Sequence, residues 1–356
     1  MHINKKHYRT IWPDTRCKYV EVIDQTKLPF NFSIERIYSV DMMIHAIKSM
    51  QVRGAPLIGA SAAYGMALAM LEDDSDAHLM VAADRLIKSR PTAVNLSWAV
   101  NRMVDMLKTI EPERRNFSAW KEAAHIAEED VQQNQAIGQY GLAVIKNAHK
   151  GDVSNILTHC NAGWLATVDY GTALSSLYMA HDAGLNIHVW VDETRPRNQG
   201  ASLTAWELAQ HGVPHTVISD NAGGHLMQQG LVDMVIVGAD RVTANGDVCN
   251  KIGTYLKALA AHDNDIPFYA AVPSPTIDFA MPNGAEIKIE ERCSDEVAYM
   301  QGKVADGSVQ TVRVIPDESK AKNPAFDVTP ARLVTGVITE KGVFAPDTLL
   351  KKLNSQ

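Results

Sequence analysis

The chain has 356 residues, 46% hydrophobic and 21% charged, a globular balance long enough for about two domains. Its 34 Lys and Arg against 41 Asp and Glu leave a formal net charge of −7, and no basic stripe interleaved with aromatics occurs, which speaks against nucleic acid or a membrane surface and for a small-molecule partner. The opening MHINKKHYRTIWPD lacks an apolar signal core and no apolar run of about 18 residues stands out, so the chain reads as cytoplasmic and not membrane-spanning.

The first part reads as helix-rich. In SIERIYSVDMMIHAIKSMQVRGAPLIGASAAYGMALAM a helical pattern breaks at Arg53-Gly54 and restarts at Pro56, a favoured first helical residue. SRPTAVNLSW places Arg90 ahead of a second proline-initiated helix, and a long helix is expected over residues 118–148, ending in NAHKGD. Near residue 150 the organisation changes, giving expected domains at 1–148 and 149–356. Downstream, NILTHC, IHVWVDE, HTVISD, DMVIVGAD and PFYAAVP are short, rich in Val and Ile, and mostly separated by helix-like segments such as GASLTAWELAQHG and GTYLKALAAHDN. Strands alternating with helices form a parallel α/β sheet. Such sheets bind ligands beyond the carboxyl ends of their strands, where Cys160, Glu193, Asp220 and Asp240 fall.

The chemistry-bearing residues each have a plain structural explanation beside the functional one. Arg53, Gly54 and Ala55 before an Ala/Gly-rich helix form either an ordinary turn or an anion site built from free helix N–H groups and one guanidinium. Arg90 repeats that arrangement. VWVDETRPRNQGASLTAWEL sets two acids, two arginines, Asn198 and Gln199 in a strand-to-helix loop, which is a solvated loop unless its polar groups converge on a sugar. In IVGADRVTANGDVCNKIGTY, Asp240 follows an apolar strand that would partly desolvate its carboxyl and raise its pKa, as suits a proton donor, while Asn250 and Lys251 lead toward the next helix. The cysteines at 17, 160, 249 and 293 contain no C-x-x-C pair and no metal-like spacing with His, so free thiols are expected and no metal. Cys160 is either a core cysteine or, at a strand end before a helix start, a reactive thiol of lowered pKa. G-x-G-x-x-G after a strand, the P-loop, H-E-x-x-H and G-x-S-x-G are all missing from the sequence. The inventory left is one thiol, one acid, several amides and enough basic groups for one phosphate.

VRGAPLIGASAAYG, RPTAVNLSWAV, ILTHCNAG, VWVDETRPRNQGASLTAWEL, VIVGADRVTANGDVCNKIGTY, IKIEER and NPAFDVTPARLVTGVITEKG together resemble the methylthioribose-1-phosphate isomerases, aldose–ketose isomerases of methionine salvage. The resemblance runs in family order from about residue 40 to 345. It implies a homodimer without metal or organic cofactor, in which a smaller helical/antiparallel N-terminal domain contributes phosphate-binding residues to a Rossmann-like parallel-sheet domain. It places catalysis on Cys160 and Asp240 and substrate binding on Arg53, Gly54, Ala55, Arg90, Gln199, Asn250 and Lys251. NAGGHLM after Asp220, and Trp164 where a smaller residue is expected, depart from the pattern and are expected to bear on pocket shape.

The implied reaction converts 5-methylthioribose 1-phosphate into 5-methylthioribulose 1-phosphate. Asp240 is expected to protonate the ring oxygen, with Cys160 assisting at C1/C2 and either a proton relay or a hydride shift completing the step. 5-Deoxyribose 1-phosphate is the nearest alternative substrate. Ribose 1,5-bisphosphate would need a second basic cluster, for which Arg195 and Arg197 are spare residues. A reading of another class is a non-catalytic regulatory subunit of the translation-initiation exchange factor, which shares this fold; the paired Cys160 and Asp240 argue against it.

Overall fold

The computed structural model describes residues 1–353 except 4 and 150. The last three positions of the expected second domain, and position 150 of the NAHKGD stretch, lie outside the described residues. Strands β1 (Ile11–Pro13), β2 (Val20–Ile23) and β3 (Ile34–Ile37) form an antiparallel sheet. Val20, Val22 and Ile37 turn from it into the core shared with the helices that follow. These are α1 (Val40–Lys48), α2 (Ala55–Glu72), α3 (Asp76–Ile87), α4 (Val94–Leu107) and α5 (Pro112–Ala148).

Helix α2 is packed by α1, α3, α4 and α5. It is long and apolar enough to cross a membrane, which corrects the expectation that no such run occurs, yet 83% of it is buried inside the protein. An all-round apolar helix of small residues suits a central position, because its neighbours approach closely on every side. Two helix starts differ from the sequence reading. Helix α4 begins at Val94, not at Pro91, because the Ala93 N–H bonds the Arg90 carbonyl at 3.0 Å and puts Pro91 in a turn. Helix α5 begins at Pro112 rather than 118, with the proline in its first turn where no N–H is needed.

The chain then alternates: β4 (Ser154–Thr158), α6 (Ala173–Asp182), β5 (Ile187–Asp192), α7 (Ala205–His211), β6 (His215–Ile218), α8 (Ala222–Gln228), β7 (Met234–Val237), β8 (Arg241–Thr243), β9 (Val248–Lys251), α9 (Thr254–Asp263) and β10 (Phe268–Ala271). Strands β11 (Ile277–Asp278), β12 (Phe326–Thr329), β13 (Gly336–Thr339) and β14 (Gly342–Phe344) follow. The main sheet runs β6-β5-β4-β7-β10-β13-β14, parallel except for the last hairpin, and all five strands expected from the sequence lie in it. Both faces are covered. Ile156 of β4 and Ile236 of β7 enter one apolar cluster while Leu157 and Val235 enter the other, which explains why these strands read as continuous apolar runs. The smaller sheet β11-β8-β9-β12 sits at the exit of β7. In the main sheet the connections after β4 run one way and those after β7 the other, so a crevice opens between the carboxyl ends of these two neighbours.

Candidate functional site

Cys160 lies two residues beyond β4, with a left-handed φ of +64° that is uncommon for a residue with a side chain. Its N–H donates to Thr194 Oγ1 at 2.8 Å, its carbonyl accepts from Thr204 Oγ1 at 2.6 Å, and Sγ lies 3.6 Å from Gln199 Oε1. The loop after β5 therefore aims the thiol. Behind it, His159 Nδ1 and Nε2 bond Asp192 Oδ2 and the Ile252 carbonyl, both at 2.9 Å. Lys257 Nζ is 3.1 Å from the same Asp192 oxygen and also donates to the Asp220 carbonyl, while the Asp220 carboxylate accepts from the N–H groups of Thr194 and Arg195 at 2.7 and 2.8 Å. His159, Asp192 and Asp220 bring ligand atoms within 4.8 Å of one another. The Lys257 ammonium already balances Asp192 there, so the chemistry of the cluster is that of a hydrogen-bonded brace rather than a metal cage.

Asp240 does not end a strand as expected. β7 stops at Val237, and Asp240 stands at the entry to β8 with its N–H on the Cys249 carbonyl at 2.9 Å. The backbone needs those two extra residues to leave the main sheet and join the smaller one. Asn250 and Lys251 close β9 beside it. Asn250 Nδ2 bonds Thr254 Oγ1 at 3.1 Å, and the buried Lys251 ammonium stands 5.0 Å over the Phe326 ring.

Arg53 arrives from the loop before α2, buried, with Nη1 2.5 Å from Asn161 Oδ1 and Nη2 2.8 Å from the Asn161 carbonyl. Gly54 follows at φ +94°, where a Cβ would stand 2.5 Å from the Ala166 carbonyl oxygen, so only glycine lets the start of α2 approach this loop. Arg90, in the turn before α4, is 3.3 Å from Glu290 Oε2, and its buried Nε has no partner among the described residues.

Burial raises the pKa of Asp240, against the lowering pull of Lys251, Arg90 and Arg53. The expected direction holds. For Cys160 it does not: burial pushes the thiol up, and Arg53 and Lys251 only partly counter it. The cause is that the next regular element is the short turn Trp164–Ala166, so no helix N-terminus supports a thiolate. Burial lowers Lys251 in turn, opposed by Cys160 and Asp240. Acid and thiol are thus both shifted upward by burial beside Arg53 and Lys251, cations suited to an incoming dianion.

Cys160, Asp240, Arg53, Gly54, Ala55 and Asn250 line one narrow cavity of about 30 Å³. It shares Arg53 with a cleft of about 370 Å³ that holds Gln199, and Ala55 and Asp240 with a cleft of about 350 Å³ that holds Arg90. Lys251 lines none of the three, and acts on Cys160 and Asp240 through its field. Trp164 is fully buried in the core beside Trp206 and NAGGHLM lies at α8, so neither shapes these cavities as the sequence suggested. Arg195 and Arg197 are not spare: the first donates to the Pro196 and Val297 carbonyls at 2.6 and 2.8 Å, and the second pairs with Glu296 at 3.0 Å. Sequence reasoning overlooked Asn161, Thr194, Thr204, Glu207 and Glu290. A polar residue beside the cysteine was the one signal for Asn161; the others become visible only when their loops meet.

A model of the initiation factor 2 subunit family matches residues 51–346. The chain is 59% identical over 351 residues to methylthioribose-1-phosphate isomerase of Brucella anthropi, covering 97% of this chain and 96% of that protein. It is 59% identical over 354 residues to the protein of the same name from Rhodospirillum rubrum, covering 97% and 91%. Among solved structures, 5-methylthioribose 1-phosphate isomerase from Pyrococcus horikoshii OT3 superposes with a TM-score of 0.84 at 41% identity, covering 98% of this chain and 96% of that one. A structure described as translation initiation factor eIF-2B, subunit delta, from A. fulgidus gives 0.79 at 42%, covering 96% and 97%.

Proposed function

The chain belongs to the initiation factor 2 subunit family, and on that premise we propose that it isomerises 5-methylthioribose 1-phosphate to 5-methylthioribulose 1-phosphate. The observation that carries this is the meeting of Cys160 and Asp240 in one cavity with Arg53 and the start of α2. A non-catalytic chain has no use for a buried acid and thiol facing an anion site.

The phosphate on the anomeric oxygen keeps the ring closed, so opening needs an acid. Asp240 gives its proton to the ring oxygen as the C1–O4 bond breaks, which leaves a hydroxyl at C4 and a carboxylate at Asp240. The hydrogen on C2 then moves to C1, the C2 hydroxyl becomes the ketone, and its proton returns to Asp240, so the enzyme ends as it began. Cys160 acts at C1/C2 either as a polarising S–H group while the hydrogen moves with its bonding pair, or as a thiolate that takes the C2 proton and returns it to C1. Arg53, Arg90 and the first N–H groups of α2 bind the phosphate, with Lys251 adding its field from behind the cavity wall, and Gln199 and Asn250 orient the sugar. The enclosed crevice excludes water from the open-chain intermediate.

Leu28, Phe30, Met50, Leu203 and Met300 line the cleft that holds Gln199, a surface suited to an apolar 5-substituent. Arg195 and Arg197 are engaged with the Pro196 and Val297 carbonyls and with Glu296, which weakens the case for a second phosphate in this cleft. 5-Deoxyribose 1-phosphate remains a competitor, because a pocket for a methylthio group rejects the smaller apolar group by only about 1–3 kcal/mol. The resemblance implies a homodimer, which light scattering tests. The A. fulgidus relative is what favours the regulatory reading. Purified protein incubated with each sugar 1-phosphate decides: ketose forms fastest from the methylthio substrate, and no ketose from any of them refutes the proposal.

A further inference from the structure

Glu207 lies on α7, fully enclosed, and lines none of the three cavities. Its carboxylate accepts four hydrogen bonds: at Oε1 from Asn161 Nδ2 (2.8 Å) and the Leu165 N–H (3.1 Å), at Oε2 from the Trp164 N–H (2.9 Å) and the Tyr178 hydroxyl (2.6 Å). The chain is wrapped so closely around it that a Cβ on Gly163 would stand 1.9 Å from Oε2. A buried carboxylate facing only neutral donors is a costly way to hold a core together, since apolar residues of similar volume serve stability as well.

The arrangement has a direction. Asn161 is clamped between an acceptor and a donor: its NH₂ donates to Glu207 Oε1, which also accepts from the Leu165 N–H, and its oxygen must face Arg53, which only donates. Two of the five guanidinium N–H groups are thereby committed to Asn161, and the rest are left for a ligand. The turn that Glu207 holds by its Trp164 and Leu165 N–H groups ends at Ala166, the residue against which Gly54 seats the start of α2. One carboxylate therefore fixes both halves of the anion site.

We propose that Glu207 is the positioning residue of the anion site, setting through Asn161 and the Trp164–Ala166 turn where Arg53 and the start of α2 meet the substrate's phosphate. The assignment of that anion as substrate phosphate rests on the isomerase reading. The test compares wild type, Glu207→Gln, Asn161→Ala and the double variant. KM and kcat are measured with 5-methylthioribose 1-phosphate, inorganic phosphate is titrated calorimetrically, and thermal midpoints confirm folding. Glu207→Gln and Asn161→Ala each weaken phosphate binding and raise KM on the order of tenfold, with kcat nearly unchanged. The double variant is no weaker than the weaker single, because both act along one chain of contacts. Independent effects that multiply in the double variant overturn the proposal, as does a Glu207→Gln protein with a lowered thermal midpoint but unchanged KM and phosphate affinity. Should Glu207→Gln not fold, Tyr178→Phe removes one donor from the same carboxylate and shifts phosphate affinity in the same direction by less; no shift overturns the proposal as well. Phosphate titration needs no turnover, so a wild type that binds phosphate yet forms no ketose defeats the isomerase reading alone. A wild type that binds no phosphate defeats both.

Discussion

Cys160 Sγ stands 3.6 Å from Gln199 Oε1, so the thiol donates to an amide oxygen and is held as S–H at the head of the crevice. Because burial raises its pKa, alkylation of Cys160 by a small thiol reagent accelerates as the pH climbs past the ordinary thiol range of about 8.5, and substrate slows it. The exposed Cys293 labels ahead of it, reversing the order that a lowered Cys160 pKa would give. Cys160→Ser folds normally and loses kcat by orders of magnitude, about 10² or more, since a hydroxyl cannot replace the more acidic thiol. A Cys160 labelling rate that is already maximal at neutral pH, or a fully active Cys160→Ser, contradicts this role.

Asp240→Asn keeps the shape and the hydrogen-bonding capacity of the side chain but has no proton to give. Its kcat falls by about 10²-fold or more while phosphate affinity stays near that of wild type. Steady-state kinetics and calorimetry on the same preparation separate the two, and near-normal kcat would remove Asp240 from ring opening.

Arg53→Lys retains the charge but cannot hold both Asn161 oxygens and a phosphate, because an ammonium lacks the planar fork. KM and the inhibition constant of inorganic phosphate rise together, by about tenfold or more. An unchanged inhibition constant in the lysine variant would show that charge alone suffices.

Gly54→Ala combines a φ of +94° with a Cβ 2.5 Å from the Ala166 carbonyl oxygen. Strain alone costs about 1–3 kcal/mol, and pushing α2 off the turn weakens phosphate binding as well. Gly184→Ala is the control, since Gly184 has a φ of +78° but no atom within 4 Å of the added Cβ. It lowers the thermal midpoint and leaves phosphate affinity unchanged; equal binding losses in the two variants would mean that the Gly54 contact is irrelevant.

Burial pushes Glu207 and Asp130 up to about 7 from ordinary values of 4.5 and 3.8. Between those limits the folded protein binds more protons than the unfolded chain, so their contribution to stability is complete below about pH 4 and is lost as the pH rises through 7. Glu296 has the opposite sign: burial raises it, but Arg292 and Arg197 outweigh this and bring it to about 2, so its contribution holds above pH 4.5 and fades as the pH falls toward 2. Denaturation midpoints followed from pH 4.5 to 7.5 therefore fall less steeply in Glu207→Gln than in wild type. Parallel curves would mean that Glu207 titrates alike in both states.

The sequence by itself determined the local elements and the residue types at their ends. Strands of Val and Ile between helical stretches announced a parallel sheet, because burial on both faces demands apolar side chains at every strand position. The residues just past β4 and β7 were identifiable as Cys160 and Asp240 for the same reason. That these two strands are neighbours was decided by the tertiary structure: the order β5-β4-β7-β10 places them on either side of the crevice, and nothing within either strand encodes its partner. Helix α2, apolar enough for a membrane, became a core helix because four other helices were there to cover it. The charge state of Cys160 also escaped the sequence. Desolvation sums over every atom around the thiol, and the opposing fields come from Arg53 and Lys251, each about a hundred positions away along the chain. The path from Glu207 through Asn161 to Arg53 is of this kind too: three side chains from three separate segments form one device, and hydrogen-bond partnership depends on distance in space, which periodicity along a chain does not record.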